Sequence, residues 1–324
     1  MDSKRKIAVI GAGNVGATCA QRVLERGLAD VALVDVVDGL AAGKALDLAE
    51  AAPLEGHDCR ITGSTSYEII RGSQVVVVTA GLARKPGMSR SDLLEANAKI
   101  IGSIIPQVVA NAPDAVLITV TNPLDTMTYL SWKLTRWPAE RVLGMAGVLD
   151  SARLRFFVAE KLGVSVRDVD AMVMGGHGDS MVPLPRYTTV SGVPLTELLS
   201  APEVEKLMQR TRDGGAEVVK LLKTGSAFYA PASSAADMAQ AILNDEHRLL
   251  PACVRLSGQY GLKDLFCGVP VRIGATGIEE IVQLPLTEAE KTALKTSAES
   301  VRQEMQAVDA LVLQKGSDPL TKGV

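Results

Sequence analysis

The residue best placed to do chemistry is His177, in the run Met174-Gly175-Gly176-His177-Gly178-Asp179-Ser180. An imidazole titrates near neutrality, so it can take a proton from a hydroxyl and give it back. Flanking glycines remove bulk and leave a ring that a substrate and a cofactor can both approach. The chain has 3 histidines, and the other two, His57 and His247, lie in polar segments that read as exposed surface. The bland alternative for His177 is a turn histidine held by local hydrogen bonds. In Val148-Leu149-Asp150-Ser151-Ala152-Arg153, Asp150 and Arg153 share one face of a helix start. They are either an ordinary intrahelical ion pair or a carboxylate and guanidinium held for use. The loop Leu82 to Arg90 carries Arg84, Lys85 and Arg90 between Gly81 and a helix. It reads as solvated surface or as a lid that swings down.

These groups need a frame, and the first half of the chain supplies the pattern of one. Short apolar runs alternate with helical stretches, the signature of βαβ units around a parallel sheet. The predicted strands are Ile7 to Ile10, Val31 to Val34, Arg60 to Thr62, Val75 to Thr79, Val116 to Val120 and Val142 to Met145. Predicted helices run from Val15 to Arg26, Leu93 to Asn111 and Asp125 to Leu134. After about residue 147 longer helices mix with short strands. The reading is α/β: a doubly wound parallel-sheet Rossmann domain over 1–146, an α+β substrate and catalytic domain over 147–313, and a frayed tail over 314–324. In the second part, Asp150 to Leu162, Glu203 to Leu222 and Ala235 to Leu243 read as helices. Val169 to Met174 reads as the strand delivering His177. Val254 to Leu256, Val269 to Ile273 and Glu280 to Leu284 read as a twisted antiparallel sheet, followed by a capped helix from Thr287 to Leu313.

The first strand runs straight into Gly11-Ala12-Gly13-Asn14-Val15-Gly16 and then a helix, the context that makes a GxGxxG match specific. Gly11 suits the tight turn, Gly13 the close approach of a pyrophosphate to the backbone, and Gly16 the packing of helix on strand. Asp35 ends the second strand, where a carboxylate accepts from both ribose hydroxyls and repels a 2′-phosphate. NAD is therefore expected over NADP. Thr79 ends the fourth strand with Gly81 just beyond it, and Val120 ends the fifth, followed by Thr121-Asn122-Pro123. Such carboxyl ends face the ligand crevice in this architecture.

Composition excludes other classes. A hydrophobic share of 47% with 22% charged residues is that of a globular protein. A net charge of -3 with scattered cations offers no field for nucleic acid. The apolar start stops too soon for a signal peptide, and no stretch reaches the roughly 20 apolar residues of a membrane span. Cys19, Cys59, Cys253 and Cys267 lack metal-ligand spacing and read as reduced thiols of a cytoplasmic protein. No metal is expected.

In their order, Gly-Ala-Gly-Asn-Val-Gly, Ala-Arg-Lys-Pro-Gly-Met-Ser-Arg, Thr-Asn-Pro, Leu-Asp-Ser-Ala-Arg and Gly-Gly-His-Gly-Asp resemble the lactate/malate dehydrogenase family. The likeness runs from Lys6 to about Leu313 and is to the malate branch of the lactate-dehydrogenase-like type. That resemblance implies NAD-dependent oxidation of malate to oxaloacetate, with His177 as general acid/base and Asp150 as its orienting partner. It implies that Arg153 grips the carboxylate beside the reacting carbon, that Arg90 polarises the carbonyl, and that Asn122 binds near the substrate oxygen. Arg84 would hold the second carboxylate, Asn97 would lie near the cofactor, and Ser233 and Ser234 near nicotinamide and substrate. Ala83 stands where many relatives have proline, so the lid's flexibility can differ. A homotetramer is expected ahead of a homodimer, the helices Val15 to Leu24 and Ala41 to Leu48 packing across a symmetry axis, with a place in the tricarboxylic acid cycle. A lactate or other 2-hydroxy acid dehydrogenase, an NAD-dependent glycosidase and a non-catalytic dinucleotide sensor are the competing readings. Arg84, the absence of a cysteine beside His177, and the joint presence of His177, Asp150 and Arg153 argue against each in turn.

Overall fold

The computed structural model describes residues 5–83 and 88–314. Arg84 to Gly87 of the expected lid, the side chain of Arg90 and residues 315–324 of the expected tail lie outside the described residues. The first half forms strands β1 (Lys6–Ile10), β2 (Asp30–Val34), β3 (Ile61–Ser64), β4 (Val75–Val78), β5 (Val116–Thr119) and β6 (Val142–Gly144). Helices α1 (Asn14–Glu25), α2 (Leu40–Glu55), α3 (Arg90–Asn111) and α4 (Leu124–Thr135) connect them. The parallel strands lie in the order β3-β2-β1-β4-β5-β6, a doubly wound sheet whose direction of winding reverses between β1 and β4.

Near-continuous apolar strands arise because both faces of this sheet are covered. Ile7 and Val9 of β1, with Val75 and Val77 of β4, belong to one core. The alternate residues Ala8, Ile10, Val76 and Val78 belong to the core on the opposite face. α3 is long and apolar enough over Ser91–Asn111 to pass a length-and-composition test for a membrane span, which the sequence reading did not anticipate. Here Ile101, Ile105 and Val108 are fully buried in the second core.

The second half begins with α5 (Gly147–Leu162) and small strands β7 (Val169–Asp170), β8 (Val173–Met174), β9 (Val182–Pro183), β10 (Thr189–Val190) and β11 (Val193–Pro194). Then come α6 (Leu195–Leu198), α7 (Ala201–Leu222), α8 (Tyr229–Leu243), β12 (Arg248–Ser257), β13 (Lys263–Gly274), β14 (Gly277–Ile281) and α9 (Glu288–Gln314). The expected strand Val169 to Met174 is split, because β7 pairs with β10 while β8 pairs with β9. The expected short strands are instead a hairpin of 10 and 12 residues, and Pro251, Gly268 and Pro270, which ordinarily punctuate strands, sit inside its ladder. This hairpin is antiparallel as expected, yet it is not a separate sheet. It docks on the edge of β6 through Cys253 and Gly144, so nine strands form one sheet across both halves. α8 starts at Tyr229 rather than Ala235, since Pro231 falls in its first turn, where a missing N–H is harmless. The capping pattern before α9 is realised: the Thr287 N–H donates to Glu290 at 2.8 Å and the Glu290 N–H to the Thr287 hydroxyl at 3.2 Å.

The apolar residues Cys19, Ala20, Val23 and Leu24 of α1 are buried in this chain's own core. One expectation fails: His57 is not fully exposed, since its Nδ1 is buried between α1 and α2 without a hydrogen-bond partner among the described residues. His247 is exposed as expected, between Asp245 and Glu279.

Candidate active site

The glycine turn between β1 and α1 is built for close approach. Gly11 has φ +103°, a conformation side chains avoid, and a Cβ at Gly16 would lie 1.8 Å from the Gly11 carbonyl oxygen. A Cβ at Gly13, by contrast, would meet nothing within 4 Å, so the open side of the turn is at Gly13 and Asn14. No side chain caps α1, which leaves its first amides directed at whatever anion sits there. The Thr79 hydroxyl donates to the carbonyls of Ile10 and Gly11, both at 3.1 Å, and fixes the turn from β4. Asp35 closes β2 and accepts from the Ala12 N–H at 2.6 Å. These residues fit an adenine dinucleotide: an anion-accepting turn, room at Gly13, and a carboxylate at the ribose end.

From that turn a cleft of about 480 Å³ extends along the carboxyl ends of the strands to the second half of the chain. Val15, Thr79, Gly81, Val120, Asn122, Arg153 and His177 all line it. Asn97 does not. It is fully buried, accepting from the Leu82 N–H at 2.7 Å and donating to the Asn122 carbonyl at 2.6 Å, so it ties the start of the lid to the Asn122 loop.

The strand-to-loop turn after β8 brings His177 to the cleft floor, where its Nδ1 lies 2.9 Å from Asp150 Oδ2. Asp150 stands in the first turn of α5 and is 2% exposed. Its other oxygen accepts from Arg153 at 3.3 Å, so the ion pair exists but its guanidinium also faces the cleft. Burial opposes a charged His177 ring. The charge and hydrogen bond of Asp150, helped by Asp125, outweigh both burial and the repulsion of Arg153, holding the pKa above its ordinary 6.5. With Nδ1–H donating to a carboxylate, Nε2 is the nitrogen free to exchange a proton with a ligand.

Several residues at or behind the cleft were not read from sequence. Gly214 and Gly215 in α7 flank Arg153: Cβ atoms there would lie 3.1 Å from its Cδ and 3.7 Å from a terminal nitrogen. Two adjacent glycines inside an amphipathic helix were the available signal, because each costs about 1 kcal/mol against alanine. Ser226 and Ala227 ahead of α8, and Pro231 in its first turn, line the cleft. Ser233 and Ser234 do not. One helical turn further on, they line a different cavity of about 670 Å³ beside Arg155 and Asp170, and the Ser234 hydroxyl donates to the Ala230 carbonyl. Asp125 was also missed. Buried in α4, it accepts from the His177 N–H at 2.8 Å.

A doubly wound sheet whose switch point opens onto a histidine–carboxylate pair and an arginine defines a dinucleotide-dependent oxidoreductase. Residues 5–144 match the family model for the lactate/malate dehydrogenase NAD binding domain, and residues 147–312 that for the lactate/malate dehydrogenase alpha/beta C-terminal domain. The chain belongs to the lactate/malate dehydrogenase family. It is 55% identical to a malate dehydrogenase of Thermomicrobium roseum, over 95% of this chain and 99% of that relative. To that of Synechocystis it is 54% identical over 95% of each. Among solved structures, malate dehydrogenase from Salinibacter ruber superposes with a TM-score of 0.92 at 48% identity, covering 96% of this chain and all of that one. A Cryptosporidium parvum lactate dehydrogenase complexed with lactic acid and the dinucleotide also has a TM-score of 0.92, at 40% identity over 95% and 99% of the two chains.

Proposed function

We propose that the chain interconverts (S)-malate and oxaloacetate with NAD. The observation that carries this is the 2.9 Å contact between His177 and a buried Asp150 on the floor of the cleft, beside Arg153. In the oxidative direction the malate hydroxyl proton passes to His177 Nε2, and the hydrogen on the same carbon leaves with its electron pair. The bound dinucleotide supplies the acceptor for that hydride, and the donor in reverse. Asp150 holds the ring's tautomer and stabilises the imidazolium that forms. Arg153 receives the carboxylate next to the reacting carbon, with α7's glycines giving it room, and Asn122 stands near the substrate oxygen. Arg90, arriving with the lid, polarises the carbonyl in the reductive direction.

Substrate choice is assigned to Arg84. A guanidinium closed over the cleft without a counter-ion is costly, and the distal carboxylate of a four-carbon diacid removes that cost. Pyruvate leaves it unpaired, a penalty worth on the order of a thousandfold in kcat/KM. The relatives named malate dehydrogenase favour this reading over lactate, whose dehydrogenases share the fold. An NADH-absorbance assay comparing oxaloacetate with pyruvate is the test. Oxaloacetate should win, and Arg84→Gln should narrow the ratio; an unchanged ratio in that variant refutes the role of Arg84, and a wild-type preference for pyruvate refutes the substrate.

We further propose a cytoplasmic homo-oligomer, a tetramer ahead of a dimer, acting in the tricarboxylic acid cycle. Leu46 and Leu54 of α2 are 62% and 89% exposed, which supports a partner on that face. Sedimentation at the 34.1 kDa of one chain would overturn the assembly.

A further inference from the structure

The loop Gly175 to Gly178 carries the His177 ring, yet its backbone is held by three elements whose residues do not line the cleft. Gly175 and Gly268 of β13 exchange N–H···O bonds at 2.8 and 3.0 Å. The Gly176 N–H donates to Ser297 Oγ of α9 at 2.8 Å. The His177 N–H donates to Asp125 Oδ2 of α4, also at 2.8 Å. Ser297 is 2% exposed and Asp125 5%. The loop is pressed against these groups: a Cβ at Gly176 would lie 2.8 Å from Val301 and 3.5 Å from Asp125 Oδ2.

A buried carboxylate is an expensive way to satisfy one amide, and besides the Cys253 thiol the buried Asp125 has no second donor among the described residues. We propose that Asp125 is a positioning residue for the reaction, fixing the main chain of His177 while Asp150 fixes its ring. With both ends of the residue anchored, Nε2 has one place to point. The inference rests on the reading of His177 as the proton acceptor. Around Asp125 stand His177, the Cys253 thiol of β12, Cys267 of β13 and Glu304 of α9; around His177 stand Asp150, Asp125 and Arg153. Burial pushes the Asp125 carboxyl up, against the pull of the His177 amide and the Cys253 thiol.

The test compares Asp125→Ala, Asp125→Asn, Ser297→Ala and, as a control, His177→Ala in malate oxidation across pH, with NADH affinity measured by fluorescence. His177→Ala should lose about a thousandfold or more. Asp125→Ala should lose on the order of a hundredfold in kcat, as expected for a misplaced catalytic group, with KM and NADH affinity changed less than about threefold. Asp125→Asn, whose amide oxygen can accept the same bond, should recover to within about tenfold of wild type. Ser297→Ala should lower kcat severalfold. If His177→Ala is inactive while Asp125→Ala stays within about twofold, the positioning role falls and the assignment of His177 stands. If His177→Ala remains active, the assignment itself falls. Should Asp125→Ala fail to fold, a kcat of Asp125→Asn about a hundredfold or more below wild type, or an unchanged kcat in Ser297→Ala, overturns the proposal equally.

Discussion

Asp150→Asn isolates the charge behind His177 with almost no change of shape. In the native protein His177 Nδ1 and Asp150 Oδ2 lie 2.9 Å apart, with side-chain exposures of 13% and 2%, so solvent screens the pair little. Unit charges about 4 Å apart at an effective dielectric near 20 attract by about 4 kcal/mol. Malate oxidation starts from a neutral ring and ends with a charged one, so most of that attraction develops along the reaction. Its loss corresponds to about a thousandfold in kcat/KM. Arg153 acts in the same direction, because its repulsion of the imidazolium is no longer balanced by the carboxylate it donates to at 3.3 Å. The pH profile carries a second signature. Asp150 holds the His177 pKa above the ordinary value, so native malate oxidation weakens as pH falls through that raised pKa, and oxaloacetate reduction weakens as pH rises through it. In the variant both midpoints should move to lower pH. Stopped-flow and steady-state NADH absorbance between about pH 5 and 9, the range where an imidazole titrates, measure both effects. A plateau within about tenfold of native, or a midpoint that rises, refutes the role given to Asp150.

Other perturbations separate the parts of the site. Gly214→Ala puts a methyl 3.1 Å from Arg153 Cδ, so the malate KM should rise severalfold; an unchanged KM counts against Arg153 as the carboxylate ligand. Gly16→Ala drives a methyl into the Gly11 carbonyl at 1.8 Å, so NADH binding by fluorescence should be lost, and native affinity would contradict the packing of α1 on the turn. Asp35→Ser removes the charge at the ribose end, and the preference for NADH over NADPH should fall by roughly tenfold or more. A preference that does not move would place the discriminating group elsewhere.

What the sequence disclosed and what it hid follow from how each feature is encoded. The parallel strands and the glycine turn were readable because both faces of the sheet are buried and the turn demands glycine at Gly11 and Gly16, so each leaves a local mark. The β12–β13 hairpin was read too short because its prolines and glycines are compatible with a ladder that burial, rather than alternation, holds together. Ser233 and Ser234 failed for a geometric reason: Pro231 lines the cleft, and residues two and three further along the same helix turn toward the other cavity.

Asp125 shows the deeper limit. In sequence it is one acidic residue in the first turn of a helix, a common place for one, since a carboxylate there suits the helix dipole. Its meaning comes from the docking of β12 and β13 on β6 and of α9 over α4, which removes water from the carboxylate and sets the catalytic loop against it. His177 and Asp150 are 27 residues apart, and His177 and Asp125 are 52 apart. Spacing along one element can pair Asp150 with Arg153, but only the topology converts these longer separations into contacts of 2.9 and 2.8 Å. Groups on the ligand side can be sought by their chemistry, because a reaction requires certain side chains. Those on the core side satisfy requirements that the fold itself creates, and they become visible when each buried polar atom is asked for its partner.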